Sequence, residues 1–131
     1  MSPNRKTLKV VGFLQFILGI VGIVVSAQLV AHGLELEGPL KTFYLACGIL
    51  SIVCGALTVA TSFLSIRGAN KPSALGPHVG NSIAAAVFGT FASMLLAASP
   101  NTFNLIIDGV LVLLAVFSAV VGATTKKEAQ R

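Results

Sequence analysis

The 131-residue chain is 55% hydrophobic and only 10% charged, and its mean hydropathy is +0.92. A soluble domain carries about 25% charged residues, so this composition excludes a water-soluble fold. The net charge of +5 does not indicate nucleic-acid binding, because the basic residues are divided among the N-terminal arm, one loop and the C-terminal tail.

Four long apolar segments account for the composition. The hydrocarbon core of a bilayer is about 30 Å thick, so a spanning helix needs roughly 20 apolar residues. The remaining residues are too few for a separate soluble domain. We therefore predict an all-α integral membrane protein, with residues 1–131 forming one transmembrane domain in contact with the lipid bilayer. The predicted helices cover about 8–31, 42–66, 79–98 and 103–123.

The first segment has small and polar residues at helical spacing. Close approach of helix backbones through small residues drives helix packing in lipid, so this face is predicted to pack against another helix. Gln15 lies on the same face, where we expect an interhelical hydrogen bond, with contact to a ligand or water in a cavity as the alternative. The face comprises Gly12, Gln15, Gly19, Gly22 and Ser26.

A second interpretation of this segment is a signal peptide. Its basic start, apolar run and Val25-Ser26-Ala27 sequence are typical of a peptide cleaved after Ala27, although the apolar run exceeds the usual 7–15 residues. Cleavage would leave three helices and begin the mature chain at Gln28.

The loop predicted at 32–41 carries His32, Glu35 and Glu37. These side chains are candidates for polar or ion contacts, and they could cluster with an acid of the fourth segment. Their spacing matches no strong metal motif, so a solvated acidic loop is favoured and no metal site is predicted.

The second segment repeats the small-residue pattern. Glycine, leucine, glycine and serine recur at the same spacing in both segments, at Gly12/Leu14/Gly19/Ser26 and Gly48/Leu50/Gly55/Ser62. We interpret the repeat as a shared packing requirement, with ancient duplication as an alternative. Because Ser51 and other small side chains fill this face, the second helix is predicted to be the most enclosed. Cys47 and Cys54, about two turns apart, are too distant for a disulfide within the helix.

A basic loop at 67–78 follows, in which His78 is interpreted as a surface residue. The third segment carries Ser82 and Gly89 as packing positions. The fourth is bulky on nearly every side, so we expect it to face lipid over much of its circumference. It contains Asp108, for which we favour a structural carboxylate stabilised by the helix dipole and reached by interfacial water. An ion or proton role is the alternative.

Charge asymmetry predicts the topology. One end of the antiparallel arrangement receives eight basic residues, and the other receives only Lys41. By the positive-inside rule both termini are cytoplasmic, and a cell membrane, most simply a prokaryotic inner membrane, is the expected location. The eight are Arg5, Lys6, Lys9, Arg67, Lys71, Lys126, Lys127 and Arg131.

Catalytic and nucleotide-binding motifs are absent from the sequence, including G-x-x-x-x-G-K-[ST], H-E-x-x-H, C-x-x-C and G-x-S-x-G. We therefore expect no enzyme and no cofactor. The leading hypothesis is a structural, accessory or regulatory protein that packs with itself or with a membrane partner. The alternative is an oligomeric channel or transporter that uses Gln15, Asp108 and the polar face of the second helix. In size the chain resembles small four-helix multidrug transporters. Those proteins carry a membrane-embedded glutamate in their first helix, whereas the nearest counterpart in this chain is the neutral Gln15.

Overall fold

The computed structural model describes residues 3–71, 75–98 and 102–129. Four helices make up the regular structure of this part: α1 (Pro3–Leu34), α2 (Pro39–Asn70), α3 (Leu75–Leu96) and α4 (Thr102–Ala129). All four are long and apolar enough to cross a membrane. The chain thus has the helical composition of a multi-pass membrane protein. Arg131, residues 99–101 between the third and fourth predicted helices, and residues 72–74 of the basic loop lie outside the described residues.

The helices extend beyond the apolar segments that predict them. Between α1 and α2 only four residues remain, and the connection ends at Gly38, whose φ of 73° favours glycine. Pro39 then occupies the start of α2, where its missing N–H costs nothing. At the other end of the molecule α3 begins at Leu75, so Pro77 and His78 belong to a helix and not to the predicted loop.

Each of α2 and α4 contacts all three other helices, whereas α1 and α3 do not touch within the described ranges. In cross-section, α2 and α4 are therefore the diagonally opposed pair that touch, and α1 and α3 are the pair that lie further apart. This arrangement fits the prediction that α2 is central. It also gives α4 a larger interior role than its bulky sequence indicates, although Leu113, Val116 and Val120 remain exposed on its outer side.

The repeated pattern of α1 and α2 pairs with itself in reverse order. A Cβ placed on Gly12 would lie 3.2 Å from the carbonyl oxygen of Ser62, and one on Gly19 would lie 3.2 Å from that of Gly55. The third pair is Gly48 with Ser26, at 3.3 Å. The two helices therefore meet backbone to backbone at three matched levels, which explains why both need the same small residues.

The interior of the bundle is rich in small and polar residues, although Leu8, Leu75, Leu96 and Leu111 are also fully buried, and the exterior is bulky and apolar. Leu113 is 72% exposed and Met94 is 66% exposed, as expected for side chains in lipid. The buried polar side chains are Gln15, Ser26, Ser51, Thr58, Thr61, Ser62, Ser65, His78, Ser82, Asp108, Ser118 and Thr125.

Candidate functional site

Asp108 lies inside the bundle, where it is 1% exposed. The Ser51 hydroxyl of α2 donates a 2.6 Å hydrogen bond to its Oδ2 atom. The expectation that this carboxyl reaches interfacial water is wrong, because the bundle covers it. Asp108 also stands six residues after Thr102, where α4 begins, and the helix dipole acts mainly within the first turn. Its main polar contact is therefore Ser51.

The face of α2 that contacts Asp108 also carries two thiols. Cys47 and Cys54 lie one turn before and one turn after Ser51, and both are free and buried. The Cys54 thiol donates to the Ala85 carbonyl oxygen of α3 at 3.6 Å. Ser51, predicted as a helix-packing residue, thus also positions the embedded carboxyl.

The acidic loop predicted at 32–41 does not join this site. His32, Glu35 and Glu37 are all exposed. The His32 ring instead packs edge-on against Tyr44 of α2, with ring centroids 5.4 Å apart. Nowhere in the described part of the chain do three His, Cys, Asp or Glu side chains form a group able to hold a metal ion. The hypothetical cluster of these three residues with Asp108 is therefore not formed.

Gln15 is completely buried on α1, yet neither its Nε2 nor its Oε1 atom has a hydrogen-bond partner among the described residues. The expected interhelical hydrogen bond is absent from that part of the chain. Gly12 and Gly19 on either side contact α2 at Ser62 and Gly55, so Gln15 lies level with the segment between those two residues.

The hydroxyls of this α2 segment are already engaged. Thr58, Thr61 and Ser62 donate to carbonyl oxygens of their own helix at 2.5–2.8 Å. An unpaired buried amide costs about 1–3 kcal/mol, and ordered water or a polar ligand commonly satisfies such groups. Gln15 therefore brings an amide donor and acceptor into the interior that no described side chain satisfies.

His78 forms a second ionisable position in the interior. The imidazole is fully buried, and its Nε2 lies 2.9 Å from the Ser118 hydroxyl of α4. A Cβ on Gly122 would fall 2.5 Å from Nδ1, so this glycine makes room for the ring. The interpretation of His78 as a surface residue is wrong because α3 begins before it. Pro77 could have indicated this earlier helix start, because proline is tolerated in the first turn of a helix.

Both ionisable side chains meet the same stripe of α4. Asp108 belongs to it, and Ser118, the partner of His78, lies ten residues further along, at a helical rise of about 15 Å. Fully buried Leu111 and Ala115 lie between them. The stripe is spaced by three and four residues, as one helix face requires, and comprises Asp108, Leu111, Ala115, Ser118, Gly122 and Thr125.

The ten glycines and serines predicted to pack helices are all buried inside the bundle: Gly12, Gly19, Gly22, Ser26, Gly48, Ser51, Gly55, Ser62, Ser82 and Gly89. A Cβ on Gly22 would lie 2.9 Å from Leu111 of α4, and one on Gly89 would lie 2.6 Å from Val112. The Ser26 hydroxyl donates to the Gly22 carbonyl, whereas the Ser82 hydroxyl has no partner among the described residues. The small-residue faces are therefore covered by other helices of the same chain.

Comparisons of the chain with models of protein families, with curated proteins and with solved structures find no match.

Proposed function

We propose that the protein is a non-enzymatic, channel- or transporter-type membrane protein that conducts protons through the interior of its helix bundle. One observation carries the proposal: two ionisable side chains, Asp108 and His78, are buried in the bundle and meet one stripe of α4. Ionisable groups in a membrane interior are costly, and chains of Asp, Glu and His commonly serve as proton relays.

The packing of the interior favours protons over larger solutes. Leu111 and Ala115 fill the space between the two ionisable positions, so an open pore is a poor fit. A proton needs only a transient file of water, and the unpaired amide of Gln15 offers hydrogen-bonding capacity to such a file. The Asp108 carboxyl exchanges the proton at one level, and the His78 imidazole exchanges it at the other.

The topology proposed with this function is an antiparallel four-helix bundle with both termini in the cytoplasm of a prokaryotic cell. The eight-to-one distribution of basic residues supports it. Contacts at the basic end support it as well: the Arg5 guanidinium donates to the carbonyl oxygens of Ala69 and Asn70, and Asn4 donates to Glu128. Single-cysteine labelling at Lys41 and Lys127 in intact cells tests this arrangement.

Proton flux into liposomes tests the function. The protein is reconstituted with a trapped pH dye, and flux is driven by a potassium diffusion potential. We expect Asp108→Asn and His78→Gln each to reduce the flux at least tenfold, because each removes a proton-exchanging group. Glu35→Gln, which alters an exposed loop acid, is the control and should retain the wild-type flux. Wild-type flux in both interior variants would overturn the proposal.

The second candidate is the structural or accessory role, in which the chain packs with itself or with a larger membrane protein. The wide apolar face of α1, with Phe13, Ile17 and Val24 exposed, supports it. The small-residue faces no longer do, because they are buried inside the chain. Native mass spectrometry in lipid tests this role, and a monomer without partner would count against it. The same spectrum gives the intact mass, which decides whether cleavage after Ala27 removes Gln15.

A further inference from the structure

A groove follows the outer seam between α3 and α4. Three adjoining cavities form it, with volumes of about 810, 490 and 490 Å³. Val120 lines both the first and the second cavity, and Thr90 lines both the second and the third. The seam therefore presents one continuous depression to the surrounding lipid, which we call the α3–α4 groove.

The two ends of the α3–α4 groove differ in charge. The end near Gly76 is lined by Lys126 and Lys127, and a Cβ on Gly76 would lie 3.7 Å from the Lys126 ammonium. Glu128 lines the same end but accepts a hydrogen bond from Asn4 of α1. Within the described ranges neither lysine forms an ion pair. Two ammonium groups thus face this end of the groove.

The rest of the groove is largely apolar, although Ser82 lines its second cavity and Ser93 its third. Ala86, Ala115 and Ala119 form its floor, and Val87, Phe91 and Val116 line it as well. The Thr90 and Thr124 hydroxyls donate to the Ala86 and Val120 carbonyls of their own helices, at 2.7 and 2.9 Å. These threonines therefore need no polar partner from outside, and hydrocarbon can fill the space.

We propose that the α3–α4 groove binds an anionic phospholipid of the leaflet on the basic side. The lipid phosphate lies against Lys126 and Lys127, and an acyl chain occupies the groove from Val120 toward Thr90. Basic pockets between transmembrane helices are suited to anionic headgroups. The N-terminal turn of α3 lies at the same end, where Gly76 lines the groove, and the positive end of its helix dipole adds a weaker attraction for the phosphate.

The part of the α3–α4 groove between Gly76 and Thr90 has the length of one leaflet. Gly76 and Thr90 are fourteen residues apart on α3, which corresponds to about 21 Å along the helix. Half of a bilayer, with its headgroup region, is about 20–22 Å thick. A lipid whose phosphate is at Lys126 therefore ends its chain near Thr90, where the second cavity meets the third.

Native mass spectrometry of the full chain tests the proposal. The protein is equilibrated in nanodiscs with equal amounts of phosphatidylglycerol and phosphatidylcholine, then released in mild detergent, and the retained lipid is identified. We expect the wild type to retain phosphatidylglycerol. Each lysine near the membrane surface contributes about 1 kcal/mol, so Lys126→Gln with Lys127→Gln should weaken this binding about thirtyfold.

Matched variants separate the groove from general surface charge. Lys6→Gln with Lys9→Gln removes the same charge from α1 at the same end of the molecule and should leave lipid retention unchanged. Lys126→Arg with Lys127→Arg should restore it. Ala119→Phe fills the groove without altering charge and should reduce retention, whereas Ala27→Phe, on the exposed face of α1, should not.

Three results would overturn the proposal. The first is equal retention of the two lipids, and the second is an equal loss of lipid in the Lys6→Gln, Lys9→Gln control. The third is a dimer whose crosslinks run through the groove, which would show that a second copy occupies it in place of lipid. Soluble glycerol phosphate should not compete, because it lacks the chain; effective competition would point to a free phosphate site instead. If Ala119→Phe fails to fold, the charge variants decide the question alone.

Discussion

Gly19 is one of the positions where the backbones of α1 and α2 meet, and it gives a direct test of the packing. A Cβ at Gly19 would lie 2.8 Å from the Val59 Cγ2 atom, 3.2 Å from the Gly55 carbonyl oxygen and 3.3 Å from the Val59 backbone nitrogen. The Val59 side chain can rotate away. The two backbone atoms cannot move without displacing α2, so Gly19→Ala must separate the helices.

The magnitude follows from a comparison with a second glycine. Gly80 on α3 is exposed, and a Cβ there would meet nothing within 4 Å. Alanine stabilises either helix by about 0.5–1 kcal/mol relative to glycine, because alanine has less backbone entropy to lose when the chain folds. That gain cancels between Gly19→Ala and Gly80→Ala. The difference between them isolates overpacking, which costs about 1–3 kcal/mol.

Unfolding in mixed micelles with increasing SDS measures this difference. Gly80→Ala should unfold at the same or a higher SDS fraction than the wild type, and Gly19→Ala at a clearly lower one. Gly55→Ala, whose Cβ would meet Ile23 at 2.8 Å and the Gly19 carbonyl at 3.2 Å, should behave like Gly19→Ala. If both variants match Gly80→Ala in stability, α1 and α2 are not in this close contact and the reasoning fails.

Three further substitutions test individual contacts by the same unfolding assay. Ser51→Ala should cost about 0.6–1.7 kcal/mol in the wild type but little in an Asp108→Leu background, and additive effects would refute their hydrogen bond. Arg5→Gln should cost about 1 kcal/mol by removing donors from the last carbonyls of α2, whereas Lys6→Gln should be neutral; equal effects would contradict this role. Gly122→Ala should cost about 1–3 kcal/mol by displacing the buried imidazole, and unchanged stability would place that ring elsewhere.

The existence of the four helices could be predicted because apolar length is a property of each segment alone. Their ends could not, because hydropathy reports the hydrocarbon region and helices continue into the interface. Arg5 and Lys126 lie in helical turns beyond the apolar segments. Arg5 even stabilises the last turn of α2, a contact that depends on how two distant segments align.

The faces of the helices were also predictable, whereas the partners on those faces were not. Spacing by three and four residues identifies Gln15 and Ser51 as members of small, polar stripes. Whether each finds a hydrogen bond depends on the rotation and vertical offset of the neighbouring helix. These put Ser51 beside Asp108 but leave Gln15 opposite hydroxyls that bond their own backbone. Pairwise geometry of this kind has no signature in a single sequence.

The fourth helix shows how bulk can hide an interior face. Its run of large residues indicates lipid contact, but the stripe from Asp108 through Ser118 to Thr125 is spaced for one buried face. In a membrane bundle, small and polar residues indicate the interior, because lipid tails provide no hydrogen-bond partners and small residues allow helices to pack closely. By that criterion Asp108 belongs with Ser118 rather than with Glu35 and Glu37 of the loop between α1 and α2. The same stripe that packs α4 against its neighbours therefore carries Asp108 and contacts His78, the two groups that we propose to exchange protons.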